Sequence, residues 1–348
     1  MKRQLVNMLN RGVLRRAGTR IVKISELYPY QLADPTPIAP TSRYEPSPEV
    51  LAYLKADNPR LIELRAAYSD FDPVVTSPLI WVDTIITQKD LTHFRGDNAF
   101  VYQVRGLQFN DLGYALTAYY TLSGAAGDLL RRMSEDGAFG THVVEVAGRA
   151  MSRDVLDSAR EIDFLIRHVT PANGTLKVLD IGAGYGRLPH RLTEVLGSDV
   201  EVYATDAFPF STFLSEFYLR YRGSPARVIP LNEIERLLHA TQIDVAVNIH
   251  SFSECTPEAI NWWAALLAKA GVLNLMVIPN GESKSDLTIC RTNDGHDMEA
   301  IFERHGYGCV AREFRYSDRL VREYGIDPAQ LNMFRLGSRQ DDHPTTGS

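Results

Sequence analysis

The chain has 348 residues, of which 45% are hydrophobic and 23% charged, with a formal net charge of -6. A length about twice that of a typical single domain leaves room for one large or two modest domains with a substantial core. The composition excludes wholesale disorder, collagen-like repeats and a coiled-coil rod, and the acidic balance argues against a general nucleic-acid binder.

Residues 1–23 carry Lys2, Arg3, Arg11, Arg15, Arg16, Arg20 and Lys23 and no acid, so the remainder sums to -13. Leu5, Met8, Leu9 and Val13 fall on one helical face at 3–4 spacing. A basic amphipathic arm over 1–25 suits contact with a membrane surface or a partner. The plainer reading, a solvated or subunit-packing helix interrupted by Gly12 and Gly18, is favoured because such helices are common. No continuous apolar stretch follows the basic start, and no apolar run reaches the roughly 18 residues of a membrane span, so a cytoplasmic protein without a signal peptide is expected. Cys255, Cys290 and Cys309 are odd in number and far apart, which fits a reducing compartment.

Residues 28–48 contain six prolines and read as an extended segment. Helical periodicity runs over 49–70, broken at Asn58-Pro59. It continues mainly helical from 78 to 170, through PLIWVDTIITQKDL, GYALTAYYTLSGAAGDLLRRM and SRDVLDSAREIDFLIRHV, with no strand-turn-strand rhythm. The texture changes at Pro171. Strands are expected at Val178–Ile181, Val200–Ala204, Ala226–Ile229, Asp244–Ile249, Val272–Ile278, Gly308–Phe314 and Leu331–Leu336. Helices fall between them, the clearest opening at Thr256-Pro257-Glu258 with a threonine cap, a first-position proline and an early acid. Alternating strands and helices predict an α/β, Rossmann-like, mostly parallel sheet over 171–340, preceded by a helical region over 1–170 and followed by a polar, disordered tail at 341–348.

The segment Val178-Leu179-Asp180-Ile181-Gly182-Ala183-Gly184-Tyr185-Gly186-Arg187 follows a strand and opens a helix. Its glycines permit a tight turn and close approach to a ligand. Asp206 closes the next strand and faces the same crevice, where it can accept from both hydroxyls of a ribose. Dinucleotide enzymes share this pair of features, so it does not choose the cofactor alone.

VLDIGAGYGR resembles motif I of the class I S-adenosylmethionine-dependent methyltransferases, with GxGxG spacing rather than GxGxxG. The ending, a helix through ERHGYG and two last strands, is similar to the antiparallel seventh-strand ending of that fold. The resemblance spans 171–337. It implies S-adenosylmethionine as cofactor and S-adenosylhomocysteine as product. Asp180, Gly182, Ala183, Gly184, Tyr185 and Gly186 would lie around the methionine part, Asp206 on the ribose, and Ala207 and Asn232 at the adenine, with Asn248 completing the set. His93-Phe94-Arg95-Gly96-Asp97-Asn98, Ser152-Arg153-Asp154, Leu156-Asp157-Ser158 and Val247-Asn248-Ile249-His250-Ser251-Phe252-Ser253-Glu254 extend the likeness to the bacterial sugar O-methyltransferases over most of 80–337.

Methylating a hydroxyl requires a base to take its proton as the new bond forms. His250, just past the fourth strand, is the candidate base, and Glu254 its orienter or an acceptor for a substrate hydroxyl. The competing roles are packing over the cofactor for His250 and capping of the following helix for Glu254. His93, Arg95 and Asp97 are candidates for a lid or acceptor clamp, against a plain surface loop with a local salt bridge. Tyr119 and Tyr120 read as helix packing before sugar stacking. A divalent metal holding a diol is left uncommitted, since no compact carboxylate cluster is visible. The expected partner is a small-molecule or glycan acceptor, without nucleic acid, and self-association is left open. Alternatives are a methyltransferase of another small natural product and a non-catalytic or NAD-dependent Rossmann-like protein.

Overall fold

The computed structural model describes residues 8–9, 12–16, 44–76, 81, 85–98, 100–101, 103, 110–281 and 286–337. The chain divides into two compact units, 1–37 and 38–348. In the first, the described part holds one helical turn, Val13–Arg16, with Met8 and Val13 exposed. The rest of the basic arm, most of the proline-rich segment and the tail lie outside the described residues.

The second unit opens with two helices whose starts are written in their caps. In α1 (Pro48–Tyr53), Ser47 accepts from the amide of Val50; in α2 (Pro59–Ser69), Asn58 accepts from that of Arg60. Pro59 thus breaks the periodicity by starting a new helix at a position that needs no amide donor. Leu61, Leu64 and Tyr68 form the buried face of α2. Tyr68 bonds Thr212 at 2.9 Å, and Arg60 forks onto Glu216 at 2.7 and 3.0 Å. Both partners lie on the helix Pro209–Tyr221 of the α/β layer described below.

The expectation of a mainly helical pattern to residue 170 holds for α3 (Asn110–Ser123), α4 (Gly127–Arg132) and α5 (Arg153–His168). It fails between α4 and α5, where β1 (Val144–Val146) and β2 (Arg149–Met151) form an antiparallel hairpin. Ala147 and Gly148 turn it with φ of 52° and 69°, the left-handed pair that a two-residue hairpin loop demands. Three-residue strands are too short to print a period of two on the sequence.

The main sheet contains β3 (Leu176–Ile181), β4 (Val200–Thr205), β5 (Arg227–Val228), β6 (Val245–Ile249), β7 (Asn274–Ile278), β8 (Tyr307–Phe314) and β9 (Gln330–Leu336) in the order β5-β4-β3-β6-β7-β9-β8. All neighbours are parallel except β9, which runs antiparallel to both β7 and β8. This is the α/β, Rossmann-like, mostly parallel sheet the sequence predicts. Between the strands run α6 (Arg187–Leu196), α7 (Pro209–Tyr221), α8 (Ile234–Ala240), α9 (Pro257–Lys269), α10 (Met298–Arg304) and α11 (Arg319–Tyr324). The last of these was not expected: β8 and β9 are joined by a helix-bearing connection rather than a tight hairpin. Two buried apolar clusters flank the sheet, and both include side chains from upstream of residue 171, such as Leu61 and Phe94 in one and Leu156 and Phe164 in the other. Chain order reverses between β3 and β6, so a crevice opens beyond their carboxyl ends.

Candidate active site

The turn after β3 is shaped by three left-handed glycines, Gly182, Gly184 and Gly186, with φ of 71°, 57° and 89°. The amides of Gly182 and Ala183 both donate to the Thr205 carbonyl, at 2.9 and 3.1 Å, tying the turn to the end of β4. A Cβ on Gly182 would sit 2.2 Å from Ser251 Oγ, and one on Gly186 2.8 Å from Ser215 Oγ, so space as well as conformation demands glycine there. At Gly184 an added Cβ would meet nothing within 4 Å. Asp206 braces the turn from β4: Oδ2 accepts from the Gly184 amide at 2.9 Å and Oδ1 from the Phe208 amide at 2.8 Å. Burial pushes its pKa up to about 6, partly opposed by those amides.

Beyond the turn lies a cavity of about 680 Å³. One end is aromatic. Trp81 packs on Phe100 and Phe208 with ring centroids 5.6 and 5.5 Å apart, beside Ala207, Cys255 and Trp263. The remaining wall is acidic, with Asp154, Asp157, Asp180, Asp206, Glu254 and Asp327 facing, among the described Lys and Arg residues, only Arg153 and Arg187. Both arginines are engaged. Arg153 donates to Asp157 at 3.0 Å and Asp327 at 2.6 Å, and Arg187 forks onto Glu161 at 2.7 and 3.2 Å. Behind them the fully buried Arg315 joins Asp157, Glu161 and Asp327 at 3.0, 2.9 and 2.6 Å. Burial raises the pKa of Asp180 to about 8 against the pull of Arg187, so at neutral pH it presents a protonated carboxyl.

His250 follows β6 in a left-handed conformation, φ 65°, its amide donating to the Ile278 carbonyl at 2.7 Å. Non-glycine residues adopt such a φ at a cost, most often at functional positions. Its Nε2 lies 3.3 Å from Asp327 Oδ2, and Nδ1 is enclosed by protein without a hydrogen-bond partner among the described residues. Burial would raise the pKa of Asp327, but Arg315, Arg153 and His250 outweigh it and hold the group well below the carboxylate range. The carboxylate on His250 is therefore Asp327, not Glu254. Glu254 instead accepts from the indole of Trp81 at 2.5 Å, and burial raises its pKa despite that bond.

The structure brings Asp180, Gly182, Ala183, Gly184, Tyr185, Asp206, Ala207, His250 and Glu254 together on this wall. Gly186 sits behind it, at the start of α6. Asn232 is exposed in the turn after β5 and does not line the cavity. Asn248 is fully buried as a brace, donating to the Ile181 carbonyl and accepting from the Phe252 amide. The acceptor clamp expected from His93, Arg95 and Asp97 is not on the wall either. Arg95 is fully buried and donates to Asp154 at 2.8 Å, Glu135 at 2.6 Å and the Ala138 carbonyl at 3.1 Å. Asp97 accepts from the Gln103 amide, and His93 Nδ1 lies 2.9 Å from Thr92 Oγ1. Tyr120 bonds Ser317 and meets the Tyr316 ring edge-on, which is packing.

Sequence reasoning missed Asp327, Trp81 and the role of α5. Asp327 sits in Gly325-Ile326-Asp327-Pro328, a short loop whose only signal is an acid between glycine and proline. In α5, Asp154, Asp157, Arg160, Glu161 and Asp163 are all buried despite their charge. That reverses the usual reading of charged positions as a solvated face. Among the described residues no group of three or more His, Cys, Asp or Glu is placed to hold a metal ion, and no helix is long and apolar enough to cross a membrane.

The fold and site define an open, doubly wound α/β protein with an acidic ligand cavity at its switch point. The sequence matches no family model and no curated protein. Solved structures with a similar fold include magnesium protoporphyrin IX methyltransferase from Synechocystis PCC 6803 with bound SAM, at 14% identity and a TM-score of 0.38 over 62% of this chain and 94% of that one. The glycopeptide N-methyltransferase MtfA complexed with S-adenosyl-L-methionine aligns at 14% identity and 0.38, over 52% and 94%. The cyclase SpnF aligns at 13% and 0.36, over 65% and 94%. The fold assignment itself rests on the strand order.

Proposed function

We propose that the protein is an S-adenosylmethionine-dependent O-methyltransferase acting on a hydroxyl of a sugar or glycoconjugate. The observation that carries the cofactor assignment is the charge of the cavity below the glycine turn: among the described residues, five carboxylates and the protonated Asp180 stand against two arginines, each already bonded to acids. A cofactor with a sulfonium and an ammonium group suits such a wall, whereas the two negative charges of a dinucleotide pyrophosphate are repelled by it. The aromatic end formed by Trp81, Phe100 and Phe208 suits a flat purine, and Asp206 has carboxylate lone pairs left for ribose hydroxyls after serving two amides.

The cofactor would supply a methyl group on a positively charged sulfur. The protein must bind the acceptor in line and remove its proton. His250 is the residue proposed for that proton, with Asp327 as the resting partner of Nε2. Because Nδ1 is enclosed in this arrangement, the imidazole must turn from Asp327 to meet the acceptor, and the nearby carboxylate then stabilises the imidazolium that forms. Asn280, Asn293 and Asp327, which line the same cavity as His250, offer the mixed donors and acceptors that suit a polyhydroxylated acceptor.

The test is transfer of labelled methyl from S-adenosylmethionine into a panel of free, nucleotide-linked and lipid-linked sugars. Wild type should label at least one class, and His250→Ala should lose roughly a hundredfold or more in kcat while keeping S-adenosylhomocysteine affinity. Labelling confined to phenolic acceptors and indifferent to His250→Ala would overturn both the sugar assignment and the base.

A further inference from the structure

The segment around Arg95 and the start of α5 is absorbed by none of the roles above, yet together they build one unusual group. Asp154, in the first turn of α5, is 1% exposed and lines the cavity beside Tyr185 and Asp180. Its Oδ2 accepts from Arg95 Nε at 2.8 Å and from the Tyr185 hydroxyl at 2.6 Å. Its Oδ1 is buried and has no hydrogen-bond partner among the described residues. We propose that Asp154 Oδ1 accepts from the ammonium group of the cofactor's amino-acid portion, with Arg95 and Tyr185 as positioning residues for that carboxylate. The proposal rests on the methyltransferase reading, since it presupposes a cofactor carrying an amino acid.

A buried carboxylate ordinarily satisfies both oxygens, and an oxygen left without a partner on a cavity-lining residue calls for an explanation. Burial works against the charge of Asp154, but Arg95 and Tyr185 prevail and bring its pKa to about 2, so it stays ionised at any working pH. The neighbouring carboxyls do not offer the same. Asp180 is held protonated at neutral pH. Asp157 has both oxygens in use, Oδ2 by Arg153 and Oδ1 by Arg315 and Tyr316. An ammonium has three N–H donors and seeks an anionic acceptor; a sulfonium has none. Tyr185 belongs to the glycine turn itself, so the bond from its hydroxyl couples Asp154 to the loop over which the cofactor would lie. Arg95, fully buried and shared with Glu135, fixes the other side. The conspicuous arginine of the FRGDN segment thus serves the cofactor indirectly rather than clamping the acceptor.

An ammonium could also arrive on an amino-bearing acceptor, and the experiment separates the two sources. Calorimetry on the full chain compares S-adenosylhomocysteine with its analogue in which hydrogen replaces the amino group. Wild type should bind the amino form about tenfold or more tightly. Asp154→Asn should weaken S-adenosylhomocysteine to near the affinity of the deaminated analogue while leaving the analogue unchanged, so that the discrimination collapses. Tyr185→Phe, which keeps the charge and removes one bond, should reduce the discrimination a fewfold, and it carries the test if Asp154→Asn melts early. Equal binding of the two ligands by wild type overturns the assignment. So does an Asp154→Asn variant that weakens both equally, or neither, the last outcome pointing to an acceptor amine. Failure of wild type to bind S-adenosylhomocysteine at all removes the methyltransferase reading and this assignment with it.

Discussion

The two sides of the cavity are built by different means. The β3–β4 side is a continuous stretch of chain, a strand, three left-handed glycines and the aspartate that braces them. The β6–β9 side is assembled from distant segments, with Asp327 before β9, Arg315 after β8, Arg153 and Asp157 on α5, and His250 after β6. The first side is held by backbone geometry, which is local. The second is held by a buried ion-pair network, in which each charge is tolerable only because its partners are present. Local geometry leaves a motif in a sequence, whereas a network of remote charges does not.

The largest expected effect tests the first side. Gly182→Val places a branched side chain on a left-handed residue, against Ser251, and should cost about 3 kcal/mol or more of stability, read by thermal or denaturant unfolding. A folded Gly182→Val variant of near wild-type stability would mean that the turn can rearrange, and would blur the contrast between the two sides.

Next in size is Asp327→Asn, which keeps the shape but removes the charge that His250, Arg153 and Arg315 share. It should lower kcat of methyl transfer roughly ten- to hundredfold with little change in S-adenosylhomocysteine affinity. Asp327 has a folded-state pKa below its unfolded value, so the stability it contributes is present above about pH 4 and fades only as pH falls toward the folded pKa. The variant should be less stable than wild type at neutral pH, and the gap should narrow in strong acid. Equal loss of kcat and cofactor affinity would show that the network serves the whole cavity rather than the β6–β9 side.

A separate, pH-dependent effect belongs to Asp180→Asn. Asp180 titrates near 8 when folded and near 4 when unfolded, so the folded state holds a proton that the unfolded state releases across that window. The contribution of Asp180 to stability therefore falls as pH rises from about 4 to 8, and Asp180→Asn should remove that component of the slope. An unchanged slope would mean that Asp180 is already ionised, and the acidic wall would then carry one more charge.

Much of the fold was legible. All seven strands of the main sheet lie where the sequence placed them; for the central β3, β4, β6 and β7 the reason is that buried parallel strands are short apolar runs bounded by breakers, such as Val178–Ile181 and Val200–Ala204. Gly182, Gly184 and Asp206 were legible for the same local reason. The hairpin at 144–151 was not, its strands being three residues each, and neither was α11, hidden in what reads as a hairpin connection. Arg95 was misread because an arginine beside an aspartate in a glycine-bearing segment looks like a surface binding loop, and only the fold brings Glu135 and Asp154 to it. Glu254 was assigned to His250 from nearness in sequence, whereas Asp327 reaches it from the far end of the chain.

The central claim is that this cavity takes S-adenosylmethionine and its product S-adenosylhomocysteine rather than a dinucleotide. The most direct test is calorimetric titration of S-adenosylhomocysteine and, separately, NAD into wild type and Asp206→Ala. The account predicts binding of S-adenosylhomocysteine that weakens at least about tenfold in the variant, where the ribose loses its carboxylate, and no binding of NAD. Binding of NAD, or no binding of S-adenosylhomocysteine by folded protein, would contradict it.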